Sequence, residues 1–384
     1  MKRTSFLLLV ILAAGLVNGQ SVEPLRIMNG PWIQNLNETG LTIFFTTNLP
    51  VVPAVMLSSA GEEPEVRITN STDGIIDAGG TLHRVRVEGL QPGTQYRYRI
   101  QAIEILKYRP YQVWYGDTLY SRAQTIRTAD PDSPVVSFMV FNDIHEKSGF
   151  LAQHLKQAEP AAMDFIVYNG DMLNYFEKEP QIFDAVIDTS VRYFAGSTPF
   201  LWVRGNHETR GMLARTFKEY LDYPDGSFYF AFSRGPVRFI VLDCGEDKPD
   251  DNQYYYRLAD YDRYRLKQLE WLREELKSDA YLEASFRVVI IHMPVHPGDG
   301  KWHGQNFLAR HFGPVLKEAG ADLMLSAHTH RHQWIDQNES GLGFPILVNA
   351  PGDRIEVHSD REELKIEVIS AEGNSRLSKE LTSR

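Results

Sequence analysis

The chain has 384 residues, of which 43% are hydrophobic, and its formal net charge is −10. This length is enough for two domains with packed cores. The acidic balance argues against specific nucleic-acid binding, because such binding needs clustered lysine and arginine to replace counterions. A phosphorylated substrate is not excluded, since bound metal ions can reverse the local field. Cys244 is the single cysteine, so the chain has no internal disulfide.

The N-terminus has the pattern of an export signal. Lys2 and Arg3 precede an apolar stretch at residues 6–16, and small side chains near Gly19 fit a cleavage site. We therefore predict a signal peptide at residues 1–19 and a periplasmic or secreted protein. An uncleaved membrane anchor is the alternative. The apolar stretch is shorter than the roughly 20 residues that span a bilayer, so we expect no membrane span in the mature chain.

The region from residue 25 to about residue 128 has the pattern of an all-β domain. Residues 41–46 are rich in strand formers, and residues 83–87 and 96–100 alternate polar with apolar side chains. Glycine- and proline-containing turns separate these runs, and no long helical period interrupts them. The pattern predicts a β-sandwich of roughly a hundred residues.

Two short segments relate this sandwich to known families. Gly89-Leu90-Gln91-Pro92-Gly93-Thr94-Gln95-Tyr96 resembles the fibronectin type III turn, in which a leucine and a tyrosine lock a corner between strands. Gly30-Pro31-Trp32-Ile33-Gln34 resembles the start of the N-terminal domain of purple acid phosphatases. The resemblance implies a fibronectin-like sandwich at residues 22–129, which we expect to pack beside the active-site rim. A generic sandwich is the alternative.

A linker-like stretch at residues 129–134 separates this region from a second region with a different hydrophobic pattern. Buried-type strands then alternate with helical segments, and the clearest helix covers residues 261–277 with apolar side chains three and four positions apart. We expect the charges of that helix to form a solvated face. For residues 134–384 the pattern predicts an α/β fold, a layered β-sheet core with helices on both faces.

Seven residues of metal-ligand type follow the ends of the predicted strands. They are Asp143, His145, Asp171, Asn206, His292, His328 and His330. Ligands of α/β sheets bind beyond the carboxyl ends of the strands. Carboxylate, imidazole and amide ligands without a thiolate suit Fe, Zn or Mn. Each motif alone has a simpler interpretation: Asn169-Gly170 and Gly205-Asn206 as turns, and the histidines from residue 328 as a surface tract.

In their order along the chain, these motifs resemble the calcineurin-like metallophosphoesterase superfamily. Together with the sandwich, the mature chain resembles the purple acid phosphatase architecture. The resemblance implies two metal ions that share Asp171. One would be held by Asp143, His145, Asp171 and His330, and the other by Asp171, Asn206, His292 and His328. His207 would lie outside the metal shell, near the scissile oxygen.

The chain departs from the purple enzymes at one ligand position. Those enzymes have glycine where this chain has His145, and a metal-binding tyrosine where it has Asn174. Tyr175 lies one residue later. We therefore expect His145 to replace the tyrosinate ligand, so that iron loading gives no ferric–tyrosinate colour.

The implied chemistry is attack of a metal-bridging hydroxide on phosphorus, with His207 as the catalytic side chain at the leaving oxygen. Glu208 is a candidate to orient His207. The purple enzymes carry a substrate-contacting histidine in the loop after His292, which makes His303 or His296 a candidate here. Arg210 is a candidate contact for phosphate oxygens, and a salt bridge to a neighbouring acid is its alternative.

These observations predict an exported dinuclear-metal phosphohydrolase that acts on a phosphorylated small molecule or macromolecule. A phosphomonoesterase is favoured because the two-domain layout resembles acid phosphatases. One alternative is a phosphodiesterase for nucleotide or lipid head-group diesters. Another is a non-catalytic phosphate- or glycan-binding protein, which would require a broken ligand set.

Overall fold

The structure, a computed structural model, describes residues 23–59, 64–298 and 300–384. The predicted signal peptide at residues 1–19 lies outside the described residues. None of the helices within these ranges combines the length and the apolarity that crossing a bilayer requires.

Strands fill the described part of the chain from residue 32 to residue 127. They are β1 (Trp32–Gln34), β2 (Gly40–Thr46), β3 (Val51–Ser59), β4 (Val66–Ile68), β5 (Ser71–Thr72), β6 (Ile75–Ile76), β7 (Leu82–Glu88), β8 (Gln95–Arg109), β9 (Gln112–Tyr120) and β10 (Gln124–Arg127). One sheet has the order β1-β2-β7, and a second has the order β10-β8-β3-β4 with β9 paired to β8. Ile43 and Val85 of the first sheet share a buried core with Val55 and Ile100 of the second. The all-β prediction is confirmed.

The corner between the two sheets is closed by a tyrosine. The Tyr96 hydroxyl accepts a hydrogen bond of 2.9 Å from the backbone N–H of Gln91. Leu90 is buried beside it, 6% exposed. This bond fixes the turn before β8, as expected from the fibronectin-like segment, because it satisfies a backbone donor that would otherwise need water.

Within the described residues of the second region, twelve further strands form two mixed sheets. They are β11 (Val136–Phe141), β12 (Phe165–Asn169), β13 (Phe200–Val203), β14 (Phe230–Arg234), β15 (Val237–Val241), β16 (Phe286–Ile290), β17 (Leu323–Ser326), β18 (Gln333–Ile335), β19 (Ile346–Val348), β20 (Asp353–Ser359), β21 (Glu363–Ser370) and β22 (Ser375–Thr382). The sheet orders are β13-β12-β11-β20-β21-β22 and β14-β15-β16-β17-β19-β18.

Helices and helical turns connect these strands. The α-helices are α1 (Ser148–Gln157), α2 (Pro180–Ile182), α3 (Asp188–Tyr193), α4 (Tyr261–Glu275), α5 (Asp279–Leu282), α6 (His303–His311) and α7 (Gly313–Ala319). A π-helical turn at Phe183–Ile187 joins α2 to α3. Single 3₁₀ segments occupy Pro160–Ala162, His207–Thr209, Met212–Glu219, Pro224–Gly226 and Gln253–Tyr255.

The two sheets face each other, and helices cover their outer sides. Side chains of a strand alternate between its two faces. On β11, Phe138 meets Phe239 of the other sheet edge-to-face at 5.2 Å, whereas Phe141 packs against His154 of α1 at 5.9 Å. On β15, Phe239 points to the other sheet, whereas the next residue, Ile240, belongs to a separate core cluster with Leu272 of α4. The predicted layered α/β fold is confirmed.

Helix α4 follows the predicted apolar period with one exchange. Leu269 and Leu272 are buried, but Leu266 is 43% exposed and Arg265 is fully buried in its place. Arg265 donates a hydrogen bond of 2.9 Å to the carbonyl oxygen of Cys244. The buried guanidinium is therefore paired with backbone acceptors, which the apolar period alone did not predict.

The sandwich packs against the second region through Trp32. Its ring stacks on Phe44 at 5.4 Å and meets Phe183 edge-to-face at 5.9 Å. Its Nε1–H donates a hydrogen bond of 3.2 Å to the carbonyl of Tyr220. The carboxylate of Asp222 adds hydrogen bonds from the sandwich residues Asn35 (3.2 Å), Thr42 (2.6 Å) and Arg84. The two regions thus share one buried interface.

Candidate metal centre

The loops that carry the predicted ligands leave the same edge of the two facing sheets. Strands β11, β12 and β13 are parallel neighbours in one sheet, and β15, β16 and β17 are parallel neighbours in the other. Because the carboxyl ends of parallel strands meet at one edge, residues that follow different strands converge there.

The first ligand group comprises Asp143, His145 and His330, whose candidate ligand atoms all lie within 4.8 Å of one another. His330 Nε2 is 3.1 Å from Asp143 Oδ1 and 3.3 Å from His145 Nε2. Asp143 is buried, whereas the His330 side chain is 51% exposed. This group therefore lies at the mouth of the site.

The second group comprises Asp171, His292 and His328, and all three are buried. His292 Nε2 lies 3.1 Å from Asp171 Oδ2 and 3.9 Å from Asp143 Oδ1. The two groups are therefore contiguous. Two such adjoining groups imply a dinuclear metal centre.

Unusual backbone angles place these ligands. Asp143, His145, Asp171, His328 and His330 all have φ between 49° and 69°. Residues with a side chain rarely adopt positive φ, and such conformations cluster at functional sites because surrounding contacts must hold them. Five of the seven predicted ligands are thus held in a conformation that favours glycine.

Two glycines allow the ligand loops to approach each other. A Cβ atom on Gly205 would lie 2.2 Å from Asp171 Oδ1, and one on Gly170 would lie 2.5 Å from His292 Nδ1. Neither distance is compatible with a side chain. The Gly-Asp and Gly-Asn pairs are therefore requirements of the site's packing rather than simple turn signals.

Unsatisfied buried atoms test whether the residues fit metal ions. Among the described residues, four candidate ligand atoms are buried and form no hydrogen bond, namely Asp143 Oδ1, Asn206 Oδ1, His292 Nε2 and His328 Nε2. Buried polar atoms are rarely left without partners. His292 Nδ1 donates to the carbonyl of Asn169 at 2.7 Å, which leaves Nε2 free as a ligand. The donor set fits two cations.

The pKa shifts of the site residues also indicate that the site accommodates cations. Burial opposes a positive charge on His292, yet the carboxylates of Asp171 and Asp143 raise its pKa to about 10. Burial opposes ionisation of Asp171, but His292 holds the pKa of that carboxyl below its usual range. Burial lowers the pKa of His328 to about 3, so this imidazole is neutral and available as a ligand. The buried carboxylates therefore require a compensating positive charge, which a metal ion can supply in place of a proton.

Glu208 has a different position from the one predicted for it. Its carboxylate is fully buried and accepts backbone N–H hydrogen bonds from Asp171 (2.9 Å), Met172 (2.8 Å), Leu173 (3.1 Å) and Gly205 (2.8 Å). It therefore ties two ligand-bearing loops together and does not orient His207. A sequence signal for this role is absent, because the four partners are backbone groups.

His207 is instead oriented by a carbonyl. Its Nδ1 lies 2.8 Å from the carbonyl oxygen of Asn174, which can only accept, so Nδ1 carries the hydrogen. Its Nε2 lies 3.9 Å from Asp171 Oδ2 and accepts a hydrogen bond of 3.1 Å from Arg210 Nη1. The imidazole is about a quarter exposed, at 27%. Nε2 therefore faces the metal groups.

Arg210 lies at the site, but its charge is already paired. Its Nε donates to Glu246 Oε1 at 2.7 Å, and its Nη2 donates to Glu246 Oε2 at 3.1 Å. This two-point contact fixes the plane of the guanidinium and directs Nη1 at His207. Arg210 thus forms the salt bridge given as the alternative in the sequence analysis, and it also lies beside His207.

The remaining candidates lie around the rim. His303 Nε2 is 2.8 Å from Asp262 Oδ2, so its side chain is directed at α4. The carbonyl of His296 accepts a hydrogen bond of 2.8 Å from Gln305. Trp302, which we did not select from the sequence, packs on His328 with ring centroids 4.7 Å apart. Tyr175 is 47% exposed.

The geometry agrees with a comparison against known families. The sequence profile of the calcineurin-like phosphoesterases matches residues 136–332. The chain belongs to the calcineurin-like phosphoesterase family. This match covers all seven ligand positions and His207, and it confirms the resemblance drawn from those residues.

Similar proteins extend this likeness beyond the matched segment. Purple acid phosphatase 21 of Arabidopsis thaliana is 21% identical over 270 residues, which cover 66% of this chain and 53% of the relative. The chain thus spans about half the length of this curated relative. The purple acid phosphatase PPD1 of yellow lupin (Lupinus luteus) superposes with a TM-score of 0.64 at 14% identity, over 92% of this chain and 74% of that chain. PhoD superposes with a TM-score of 0.64 at 13% identity, over 92% and 90%. At these identities the structures show the shared fold.

Proposed function

We propose that this calcineurin-like phosphoesterase is an exported phosphomonoesterase that works with two metal ions. The observation that supports this best is the position of His292 between the two ligand groups. Its Nε2 lies 3.1 Å from Asp171 Oδ2 and 3.9 Å from Asp143 Oδ1. This imidazole lies between one buried carboxylate of each ligand group. The two groups therefore form one continuous site with ligands for two cations.

Four side chains would hold each ion. Asp143, His145, Asp171 and His330 would hold the ion at the mouth, and Asp171, Asn206, His292 and His328 the buried one. When bound, two such ions lower the pKa of water to about 7 and offset the charge of a phosphate. No thiolate is available at the site, which agrees with Fe, Zn or Mn.

His207 would handle the proton at the leaving oxygen. The Asn174 carbonyl fixes the hydrogen on Nδ1, so Nε2, whose lone pair accepts from Arg210 in this structure, is the atom that would exchange a proton with the departing group. Arg210 donates to this Nε2 and holds the ring toward Asp171. Such proton transfer contributes about 10²–10⁴-fold to rate in other enzymes.

The monoester preference is supported by the shared layout with acid phosphatases. Purple acid phosphatase PPD1 aligns over 92% of this chain, which includes the sandwich and the second region. Metal analysis together with rates on p-nitrophenyl phosphate and bis(p-nitrophenyl) phosphate tests the proposal. We expect two ions per chain and a higher kcat/KM for the monoester. A higher kcat/KM for the diester would favour the phosphodiesterase, and bound metal without turnover of either ester would favour a binding protein.

Export is supported by the basic residues Lys2 and Arg3 and the apolar stretch that follows them. N-terminal sequencing of the mature protein recovered outside the cytoplasm should begin at Gln20. The division into a sandwich at residues 22–129 and a phosphoesterase domain at residues 134–384 stays part of this proposal. Limited proteolysis should cut between these two ranges before it cuts within them.

A further inference from the structure

A large pocket lies beside the proposed catalytic histidine. Its volume is about 870 Å³, within the range typical of small-molecule sites. Arg210 forms part of its wall, and the same guanidinium contacts His207 Nε2 at 3.1 Å. The 3₁₀ segment at Met212–Glu219 and the loop that follows Glu246 form other walls. A group attached to a phosphate at the metal centre would therefore reach this pocket past Arg210.

Basic side chains outnumber acidic ones in the lining of this pocket, although the whole chain is acidic. One carboxylate, Glu246, faces five cationic side chains in its lining, namely Arg204, Arg210, Arg215, Lys218 and Lys248. Glu246 is already paired with Arg210 and accepts a hydrogen bond of 2.7 Å from the Tyr255 hydroxyl. Its charge is therefore unavailable to the other cations, and the pocket favours an anion.

Arg215 stands apart among these cations. Arg204 pairs with Asp243, and Lys248 pairs with Asp247 at 2.7 Å. Lys218 donates to a backbone carbonyl. Arg215 is exposed and forms no ion pair or hydrogen bond with any residue that the structure describes. It is thus an unpaired charge in the wall of a concave site, and an anionic ligand can pair with it.

The same pocket presents an aromatic surface. Tyr254 lines it with its side chain 69% exposed. The neighbouring Leu258 is 76% exposed and also lines the pocket. An exposed aromatic side chain in the same pocket as an unpaired arginine suits a ligand that carries both a planar ring and a negative group.

We propose that this pocket binds the leaving group of a nucleoside di- or triphosphate. The terminal phosphate would lie at the metal centre, the next phosphate would meet Arg215, and the base would stack on Tyr254. This inference rests on the proposed hydrolytic release of a terminal phosphate at the metal centre and specifies the substrate class. With these substrates water attacks the terminal phosphorus, the P–O–P bond breaks, and the nucleotide shortened by one phosphate leaves. A lipid head group would satisfy the cations but would leave the aromatic surface unused.

Two matched substrates test this inference in the holoenzyme. ADP carries the second phosphate and the base, whereas phenyl phosphate carries neither. We expect a KM for ADP at least about ten-fold below that for phenyl phosphate, because two additional contacts are made. Arg215→Gln should raise the KM for ADP about ten-fold or more and lower the ADP to phenyl phosphate ratio of kcat/KM by the same factor. Tyr254→Ser should lower that ratio about five-fold or more.

Equilibrium binding gives an independent measurement. The Kd of the non-hydrolysable analogue α,β-methylene-ADP should rise about ten-fold in Arg215→Gln, and raised salt should weaken its binding to the wild type more than to this variant. Arg361→Gln removes an exposed arginine from the turn between β20 and β21, and serves as the matched control with an unchanged Kd.

The outcomes separate this inference from the proposed function. Absence of turnover on phenyl phosphate by the metal-loaded enzyme would contradict the phosphomonoesterase. Turnover of phenyl phosphate with an equal or higher KM for ADP would overturn the nucleotide inference alone. An Arg215→Gln variant that binds α,β-methylene-ADP as tightly as the wild type would also overturn it.

Discussion

The buried carboxylate of Glu208 accepts a hydrogen bond of 2.9 Å from the backbone N–H of Asp171, the residue proposed to join both metal sites. The same carboxylate binds the N–H of Gly205 at 2.8 Å, in the next ligand loop. One carboxyl group shared by two loops fixes their separation, because each loop carries backbone donors that need a partner.

We predict that Glu208→Gln weakens metal binding without removing a ligand. The amide would direct its N–H groups at two of the four backbone donors, so two hydrogen bonds, each worth about 1–2 kcal/mol, would be lost. We expect destabilisation of about 2–4 kcal/mol and a lower metal content after dialysis. Chemical denaturation and metal analysis measure the two effects. Glu219→Gln, at an exposed position, is the control, and a Glu208→Gln protein with wild-type stability would contradict the assigned role.

Asp171 and His207 should respond differently to substitution. Asp171→Asn removes a carboxylate proposed to contact both ions, so we expect loss of bound metal and of turnover. His207→Gln leaves the proposed ligands in place, so we expect full metal content with kcat lowered about 10²–10⁴-fold.

Metal content and kcat, measured on the same preparations, distinguish these two roles. Equal loss of metal in both variants would show that His207 is a ligand. Unchanged kcat in His207→Gln would remove it from the proposed proton transfer. Tyr175→Phe is a further control, because Tyr175 is exposed and lies outside the expected ligand set. An altered visible spectrum in that variant after iron loading would contradict the position given to His145.

Stability of the sandwich should fall in acid because of His83. The imidazole is buried against Phe45 at 4.7 Å, with its Nε2 2.8 Å from the Thr47 hydroxyl. Burial lowers the pKa of His83 to about 4, below its usual value of 6.5. The unfolded chain therefore takes up the proton first. This contribution to stability is complete above pH 6.5 and is lost as pH falls from 6.5 to about 4.

The size of this effect is up to about 3 kcal/mol between neutral pH and pH 4. His83→Gln keeps a hydrogen-bonding group for Thr47 but does not titrate, so its free energy of unfolding should fall less over the same range. Urea denaturation of both proteins at pH 7, 5.5 and 4 provides the comparison. Parallel loss of stability in the two proteins would exclude His83 as the source.

The ends of the strands and the types of ligand residue could be predicted from the sequence, because both depend on residues that are close together in the chain. Asp143 and His292 directly follow apolar strand-forming runs, and parallel strands bring such positions to one edge. The turn at Tyr96 was readable for the same reason, since its partner Gln91 lies five residues away.

Contacts between side chains and the backbone groups of distant loops could not be predicted from the sequence. Glu208 binds N–H groups that every residue possesses, so no residue type marks its partners. The orientation of His207 by the Asn174 carbonyl has the same origin. The nucleotide pocket depends on how the segment with Arg215 folds against the loop with Tyr254, and neither segment carries a motif that specifies the other.

The interface between the sandwich and the phosphoesterase region should depend on Trp32. Its ring is fully buried between Phe44 and Phe183, which belong to different regions. Trp32→Ala would open a cavity at this junction and remove the hydrogen bond from Nε1 to the Tyr220 carbonyl. We expect destabilisation of about 3–5 kcal/mol, the range found for large aromatic side chains replaced by alanine in cores. Thermal and urea denaturation measure it.

Trp114→Ala is the matched control for this substitution. Trp114 lies on β9 with 37% of its surface exposed, and its ring is contacted by Lys107 at 5.0 Å. Because Trp114 belongs to none of the buried core clusters that the described residues form, its removal should cost less than about 1 kcal/mol. Faster proteolysis near residues 129–134 in Trp32→Ala, but not in Trp114→Ala, would show that the buried ring holds the two regions together. Equal destabilisation by both substitutions would contradict a specific role for Trp32, because the two variants lose the same side chain and differ in what surrounds it.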